Sequence, residues 1–358
     1  MKLIHRYIVS ALTQATLFTL LALLGLYGFF DLMGEVPELG KGLYNFGTMA
    51  GYVALLMPGH AYELMPLAVL IGGMVAMTQL ASSSEYTVIR TSGVTLRQIA
   101  ATLLKFGLGF AILTILLGEF VAPAAMKQAQ QMKLSATHSM VAQEFRSGIW
   151  VKDNRNFINV REMLPDTTLL GVRIYTYDQD FRLVETRLAE RGTYSTADRM
   201  WTLEKVRETR LFPDHTVSRD YASLPWKSII EPGILSVLLV VPEQMSAMDL
   251  MTYIEHLKSN KQQTQRYDIA LWSKLFYPLA CISMALVALA FTPQQRRHGQ
   301  LGIKLFAGIC LGVGFHFINR LFSHLGLLYE WNAVLSATLP TLAFLLAGIA
   351  IIARQERR

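Results

Sequence analysis

The chain has 358 residues, of which 52% are hydrophobic and only 16% are charged, and its mean hydropathy is +0.34. Soluble domains carry roughly 25% charged residues, so the composition excludes an ordinary soluble protein and indicates a membrane protein with one sizeable polar domain. The two cysteines lie in apolar runs, which predicts no disulfide framework and no metal site. The formal charge of +7 does not predict a nucleic-acid partner, because the positions of the basic residues point to membrane topology instead.

The first 84 residues contain two apolar runs that predict membrane-spanning helices. Tyr7–Phe30 has no charged residue, and at about 1.5 Å per residue it crosses a hydrocarbon core of about 30 Å. It is too long for a signal-peptide core and has no obvious cleavage site. Leu43–Met57 is closed by a proline and predicts a partial or interfacial helix. Leu64–Ser84 predicts the second span.

A short polar stretch, Ser82–Gly93, separates the second span from the third. Ser82 and Glu85 have the spacing of a capping box, and Gly93 can end the helix that they begin. A helix this short is marginal in water without support. Two interpretations remain open at this point: a solvated turn, or a coupling helix through which a motor protein pushes on the membrane helices. Thr95 and Gln98 form a second capping box that opens the next apolar run.

The middle of the chain changes character after the third span, Gln98–Ala122, which we expect Pro123 to break. A polar helix is predicted over Ala124–His138 and another over Met248–Lys261. Between them, period-two alternation predicts an antiparallel β domain, a sandwich or barrel-like roll. Its predicted strands include Ile149–Val151, Asn156–Val160, Val172–Tyr177, Arg182–Glu185, Met200–Leu203 and a last one at Ile234–Val241. In the third of these, Val172 and Ile174 are expected to face inward and Arg173 outward.

Three further spans close the chain, at Leu275–Gln295, Gly302–Leu321 and Trp331–Ala353. Six spans place both termini on one side of the membrane. That side carries a marked excess of lysine and arginine, whereas the opposite short loops are mostly acidic, so the positive-inside rule makes the termini cytoplasmic. The β domain then lies on the far side. The predicted organisation is residues 1–123 for helices one to three, 124–266 for the β domain with its flanking helices, and 267–358 for helices four to six.

Several stretches resemble the LptF/LptG family of lipopolysaccharide export permeases. Ser84–Gly93 resembles the cytoplasmic coupling segment of the family. The resemblance predicts a coupling helix at about residues 84–92. Gly118–Pro123 and Gly148–Asp153 resemble the LptG branch more than the LptF branch, and Arg266–Leu279 resembles the start of the fourth helix. The likeness extends over nearly the whole chain.

The resemblance implies a fold and a function. It implies six transmembrane helices with a periplasmic β-jellyroll-like domain, in the inner membrane of a Gram-negative bacterium. Such a permease pairs with a sister permease, LptF, and with a dimer of the ATPase LptB. Together they extract lipopolysaccharide from the outer leaflet of the inner membrane and pass it to a periplasmic bridge that begins with LptC. This chain would bind no cofactor, because ATP and Mg²⁺ would bind to the partner ATPase.

Two groups of site residues are predicted. The resemblance makes Glu85, with Tyr86, Ile89 and Arg90 on the same short helix, the contact with the ATPase. Lipopolysaccharide carries phosphates, so its site needs basic side chains near the outer-leaflet headgroups. The candidates are Lys41, Lys127, Lys133 and Arg320. Lys133 is favoured because family members carry a basic residue at the matching position. Asp31 departs from the family pattern, which has a basic residue there.

No catalytic site is predicted in this chain. The nearest approach to a phosphate loop, Gly34–Gly42, has the wrong spacing and lacks Ser or Thr after its lysine. The chain is therefore expected to be a non-catalytic subunit. Two other functions remain open at this point. A secondary transporter would need ionisable residues near the bilayer centre and repeated broken helices, and a scaffold that displays the β domain would have little use for the Glu85 motif.

Overall fold

The computed structural model describes residues 2–137, 148–163, 168–195, 198, 200–228, 242–290 and 301–356. Within these residues an antiparallel β domain is inserted between two groups of long helices, which confirms the predicted fold class. The helices are α1 (Lys2–Glu35), α2 (Phe46–Ser82), α3 (Glu85–Thr91), α4 (Leu96–Leu116), α5 (Ala122–Thr137), α6 (Ala247–Ser259), α7 (Gln265–Phe276), α8 (Leu279–Ala290), α9 (Leu301–Leu328) and α10 (Ala333–Glu356). The strands are β1 (Ile149–Asp153), β2 (Asn156–Met163), β3 (Leu169–Tyr177), β4 (Leu183–Ser195), β5 (Met200–Leu211) and β6 (Thr216–Trp226).

Five helical segments of the described chain are long and apolar enough to cross a membrane: α1, α2, α4 with α5, α9 and α10. The pair α7 and α8 makes a sixth span if its two helices, bent by 49°, are taken together. In the most apolar part of α2, 78% of the residues are buried, compared with 22% in α1 and 17% in α9. The second helix therefore forms the centre of the bundle, and α1 and α9 present most of their apolar surface to lipid or to a partner.

The helix α2 joins two segments that the sequence predicted as separate. The partial helix at Leu43–Met57 and the second span at Leu64–Ser84 are one helix, Phe46–Ser82, with Pro58 and Pro66 inside it. Proline removes one backbone donor, but inside a membrane bundle neighbouring side chains can satisfy the carbonyls that are freed. The helix continues through both prolines, so the prediction of a break at Pro58 was wrong.

The third span also continues past its proline. A π-helical turn, Leu117–Val121, follows α4, and α5 begins at Ala122, immediately before Pro123. The wider turn ends where the proline lacks its N–H, so it accommodates the missing donor without ending the helix. The predicted break at Pro123 was wrong, whereas the polar helix predicted after it is present as α5.

The last three spans differ from the prediction in their ends. The fourth is interrupted at Tyr277 and Pro278, where α7 meets α8, and residues 291–295 lie outside the described part of the chain. The fifth helix, α9, has 28 residues and continues to Leu328, well past the predicted end at Leu321. Its polar residues do not end it, and one of them, Arg320, faces Glu63 of α2. The sixth helix agrees with the prediction within a few residues.

The described strands form one six-stranded antiparallel sheet in the order β1-β2-β3-β4-β5-β6. All predicted strands up to Met200–Leu203 are present, and β4 and β5 are much longer than predicted. The strand β6 was not predicted, because Pro225 and two serines interrupt its alternation. The predicted last strand, Ile234–Val241, lies outside the described residues. The jellyroll-like closure of this sheet stays a prediction.

One face of the sheet is apolar around Val172, and two residues further along the same face it carries the ion pair of Arg187 with the buried Glu208. In a row across four strands, Val172 pairs with Ala189, Ala189 with Val206 and Val206 with Tyr221. Val172, Ala189 and Val206 belong to the buried core of the domain. The adjacent row, which contains Arg173 and Arg207, points the other way because side chains alternate along a strand. The predicted phase, with Val172 and Ile174 inward and Arg173 outward, agrees with the described sheet.

Candidate functional site

The short helix α3 begins differently from the sequence prediction. Ser82 is the last residue of α2, and its hydroxyl donates to the carbonyl of Gln79. The residue before α3 is Ser84, whose φ of +66° is left-handed and whose side chain makes no capping bond. The predicted capping box of Ser82 with Glu85 was therefore wrong, because Ser82 still belongs to α2 and its hydroxyl bonds back within that helix. The second box, Thr95 with Gln98, is present with both of its hydrogen bonds.

The carboxylate of Glu85 is held by the first membrane helix. The Tyr7 hydroxyl donates to Glu85 Oε2 over 2.7 Å. His5, two residues earlier, lies 2.6 Å from the hydroxyl of Thr102 in α4. The N-terminal end of α1, the short helix α3 and the start of α4 are therefore joined at one end of the bundle. Sequence reasoning missed Tyr7, since no local pattern marks a residue 78 positions away as the partner of Glu85.

The four predicted coupling residues differ in their exposure. Ile89 is buried and Tyr86 packs against the core of the bundle, so these two fasten α3 to its own chain. Burial raises the pKa of Tyr86, with Arg90 opposing the shift. The exposed Arg90 donates from Nη1 to the carbonyl of Val94 over 3.2 Å, which holds the turn after α3. The apolar side chain that α3 offers to the outside is Val88, which is 64% exposed.

A mostly apolar groove of about 390 Å³ lies beside α3. Leu3, Ile4 and Tyr7 of α1 form one wall, and Glu85, Val88 and Ile89 of α3 form the other. An apolar groove next to a single carboxylate can accept an apolar side chain of another protein while the carboxylate meets a cationic or hydrogen-bonding group. The groove makes α1 part of the same surface as the predicted coupling helix.

The four predicted phosphate-binding residues each have a carboxylate neighbour. Lys41 pairs with Glu38 at 2.8 Å and Lys127 with Asp249 at 3.4 Å. Lys133 pairs with Glu35 at 2.7 Å and lies over the ring of Tyr52. Arg320 is 3.8 Å from Glu63 and its side chain is 78% exposed. Among the four, Arg320 therefore has the longest ion pair and the most exposed side chain.

The structure brings only some of these cations together. Lys133 interacts electrostatically with Glu38, which is also the partner of Lys41. Lys133 and Lys41 therefore lie at the same end of α1. Lys127 faces α6 instead, and Arg320 faces α2. Arg320 is also eight residues before the end of α9, about 12 Å along the helix, and not near its end as predicted.

Asp31, which departs from the family pattern, has a partner that the sequence did not suggest. Its carboxylate lies 2.7 Å from His60 Nε2. Both residues line a cavity of about 240 Å³ that also includes Glu63 and Lys274. The segment Pro58–His60, which was expected to end a helix, instead supplies this contact. The described residues contain no group of three or more His, Cys, Asp or Glu side chains placed to hold a metal ion.

Comparisons with known proteins agree over the full length. The family model described as "Lipopolysaccharide export system permease LptF/LptG" matches residues 6–354. Lipopolysaccharide export system permease protein LptG of Escherichia coli K12 is 29% identical over 354 residues, covering 99% of this chain and 98% of that protein. The protein of the same name from Haemophilus influenzae Rd is 27% identical over 353 residues, covering 99% of each.

Proposed function

The chain belongs to the LptF/LptG family of lipopolysaccharide export system permeases, and from this premise we propose that it extracts lipopolysaccharide from the outer leaflet of the inner membrane. It is an inner-membrane protein and a non-catalytic subunit of the export system. Family membership favours this function over the secondary transporter and the scaffold that the sequence left open. We further propose that a cytoplasmic ATPase dimer, of the LptB kind, binds ATP and Mg²⁺ and supplies the energy.

The observation that carries the coupling proposal is the short helix α3. A helix of seven residues is too short to be stable by itself. Ile89 and Tyr86 anchor it in the bundle, and the Tyr7 hydroxyl holds the carboxylate at its first residue. What remains outside is Val88, Arg90 and the groove beside α1. A small, firmly held, partly apolar surface next to a carboxylate is suited to transmit force from a docked protein.

The basic residues support the orientation that we propose. Arg90 lies in α3 and Arg97 at the start of α4, at the same end of the bundle as the N-terminal end of α1. By the positive-inside rule this end is cytoplasmic, and the β domain is periplasmic. Both termini are then cytoplasmic, since the proposed chain crosses the membrane six times.

For the substrate we propose two kinds of contact. Arg320 meets a lipid A phosphate, because its guanidinium is mostly exposed and its ion pair with Glu63 is long. Lys133, Lys41 and Lys127 can add to this site only by exchanging a carboxylate for a phosphate. The apolar inner face of the sheet receives acyl chains, and the sister permease of the LptF type and the LptC-containing bridge provide the rest of the path.

Co-purification from the native membrane tests this proposal. A tagged chain should bring with it a cytoplasmic ATPase and a second permease of the same family. In nanodiscs, the complex should release lipopolysaccharide to a periplasmic acceptor only when ATP and Mg²⁺ are present. Recovery of the chain without an ATPase, or release that is independent of nucleotide, would contradict the proposal.

A further inference from the structure

Glu119 connects a membrane helix to the helix that follows the β domain. It lies in the π-helical turn between α4 and α5. Its Oε2 accepts the backbone N–H of Ala247 over 2.8 Å, and its Oε1 accepts that of Met248 over 3.2 Å. These N–H groups belong to the first turn of α6, where no carbonyl of the helix can accept them, and where a negative charge is also favoured by the helix dipole. A side chain of the third span therefore caps α6.

The surroundings of Glu119 fix this cap. Ser246, at the N-cap of α6, accepts the N–H of Asp249 over 3.0 Å. Lys274 of α7 donates to the carbonyl of Met245, one residue earlier. Beside Glu119, a Cβ on Gly118 would lie only 2.5 Å from the ring of Tyr62, so α2 packs directly on the π-helical turn. Two stretches noted in the sequence, Gly118–Pro123 and Arg266–Leu279, thus meet at the start of α6.

The other end of α6 is attached to the β domain. Asn260, directly after the helix, is 4% exposed and accepts the backbone N–H of Asn154 over 2.8 Å. Asn154 lies in the turn between β1 and β2. The neighbouring Asp153 is also buried and accepts hydrogen bonds from Asn154 and Ser228. The 13 residues of α6, about 20 Å of helix, are therefore held at one end by the third span and at the other by the base of the sheet.

A continuous set of contacts then leads from α3 to the β domain. Only residues 92–95 separate α3 from α4. The helix α4 continues into the π-helical turn that contains Glu119, and Glu119 bonds to the start of α6. Asn260, after the end of α6, bonds to the β1–β2 turn. Along its length α6 packs through Leu250, Tyr253 and Leu257 against α7, so it cannot swing freely. The helix α6 is therefore a short, rigid link between the third span and the sheet.

We propose that Glu119 is a positioning residue for lipopolysaccharide transfer, which sets the position of the β domain according to the position of the third span. The inference rests on the proposed function, because it assumes that lipid passes from the membrane helices to the β domain. The carboxylate cap on α6 is the mechanical joint between the third span and the β domain.

The test replaces Glu119 by Gln, which keeps the size of the side chain but removes the charge and one of the two acceptors. Spin labels at Leu328→Cys and Arg219→Cys, both exposed, report the distance between the bundle and the sheet. The exposed Cys310 is replaced by Ser in this background. The complete transporter, in nanodiscs, should show a broader distance distribution and a transfer rate reduced about tenfold, as for loss of a charge-assisted hydrogen bond. Recovery of the partner subunits should be unchanged.

Glu255→Gln is the matched control, since it makes the same chemical change on the exposed side of α6 and should leave width and transfer at parental values. Parental width and transfer in Glu119→Gln would overturn the inference. If Glu119→Gln does not assemble, Asn260→Ala loosens the other end of α6, and an unchanged distance distribution in that variant would overturn it as well. A parent complex that transfers no lipopolysaccharide would overturn the proposed function, while the distance distribution would still test the joint.

Discussion

The hydroxyl of Tyr7 and the carboxylate of Glu85 are joined by a hydrogen bond of 2.7 Å across 78 residues of sequence. Glu85 opens α3, the helix proposed to meet the ATPase, and Tyr7 lies near the start of α1. The bond fixes the direction of the carboxylate and makes the first membrane helix part of the proposed docking surface. A movement of the docked protein would therefore act on α1 as well as on α2 and α4.

Replacing Glu85 by Lys should weaken docking of the ATPase, because charge reversal at a docking contact can cost several kcal/mol. The chain should still insert and fold, since Ile89 and Tyr86 anchor α3 in the core even when the hydrogen bond from Tyr7 is lost. The measurement is the amount of ATPase recovered with the tagged complex. Glu190→Lys, the same reversal at an exposed site on the sheet, is the control. Normal recovery and normal ATP turnover in Glu85→Lys would remove the docking role.

Replacing Arg320 by Ala should weaken lipopolysaccharide binding by about 10- to 100-fold, taking about 1.5–3 kcal/mol for a charged hydrogen bond. Folding should hardly change, because the partner Glu63 is itself 44% exposed. Binding and transfer in nanodiscs provide the measurement, and Arg219→Ala on the sheet is a basic-residue control. At Lys133 the substitution is Lys133→Gln, which can still donate a hydrogen bond to Glu35. That carboxylate is only 14% exposed, so leaving it without any partner would also cost stability. Parental binding in both variants would place the phosphate site elsewhere.

A photo-crosslinking residue at Val172 or Ile174 should capture lipopolysaccharide in an ATP-dependent way, whereas one at Arg173 should not. Val172 and Ile174 are 1% and 2% exposed, so capture requires the inner face to open when lipid arrives. Arg173 lies on the opposite face of the same strand. Equal capture at Arg173, or capture at Val172 without ATP, would show that lipid does not pass along the inner face.

Replacing Gly72 by Ala should lower the thermal stability of the bundle in detergent. A Cβ at this position would lie 2.4 Å from the Cα of Thr16 in α1, and a backbone atom cannot move aside as the end of a side chain can. Overpacking of this kind costs about 1–3 kcal/mol. Gly59→Ala on the same helix is the control, since nothing lies within 4 Å of its Cβ position. Similar melting temperatures for the two variants would contradict the close crossing of α1 and α2.

Acidification should weaken the β-domain attachment through His256, which is 7% exposed. Burial lowers its pKa below the usual 6.5, and Asp153 opposes the shift. Below about pH 6.5 the imidazole binds a proton in the unfolded chain but stays neutral in the folded one. The free energy of unfolding is therefore highest above about pH 6.5, and it falls at lower pH by at most about 1.4 kcal/mol per pH unit. Melting temperatures from pH 7.5 to 5.5 should fall less steeply in His256→Gln. The exposed His215→Gln should keep the parental slope; equal slopes in parent and His256→Gln would rule out this role.

Features of this protein that depend on nearby residues were predictable from its sequence. Uninterrupted apolar runs predicted the spans, because a bilayer of fixed thickness requires them. Strict alternation predicted the strands and the inward position of Val172 and Ile174, since only one face of a strand can be buried. The capping box of Thr95 and Gln98 was predicted because both of its hydrogen bonds close within four residues.

Features that depend on distant neighbours are set by the packing of the whole fold. Pro58 and Pro123 do not end helices: α2 runs through Pro58 inside the packed bundle, and a π-helical turn accommodates Pro123. The partners of Glu85, Asp31 and Glu119 are Tyr7, His60 and the start of α6. Each pair is distant in sequence, and the energy of a hydrogen bond depends on a distance that only the packed helices set. The four predicted phosphate-binding cations lie apart for the same reason. The sequence shows which residues are charged, but only the fold shows which carboxylate pairs with each of them.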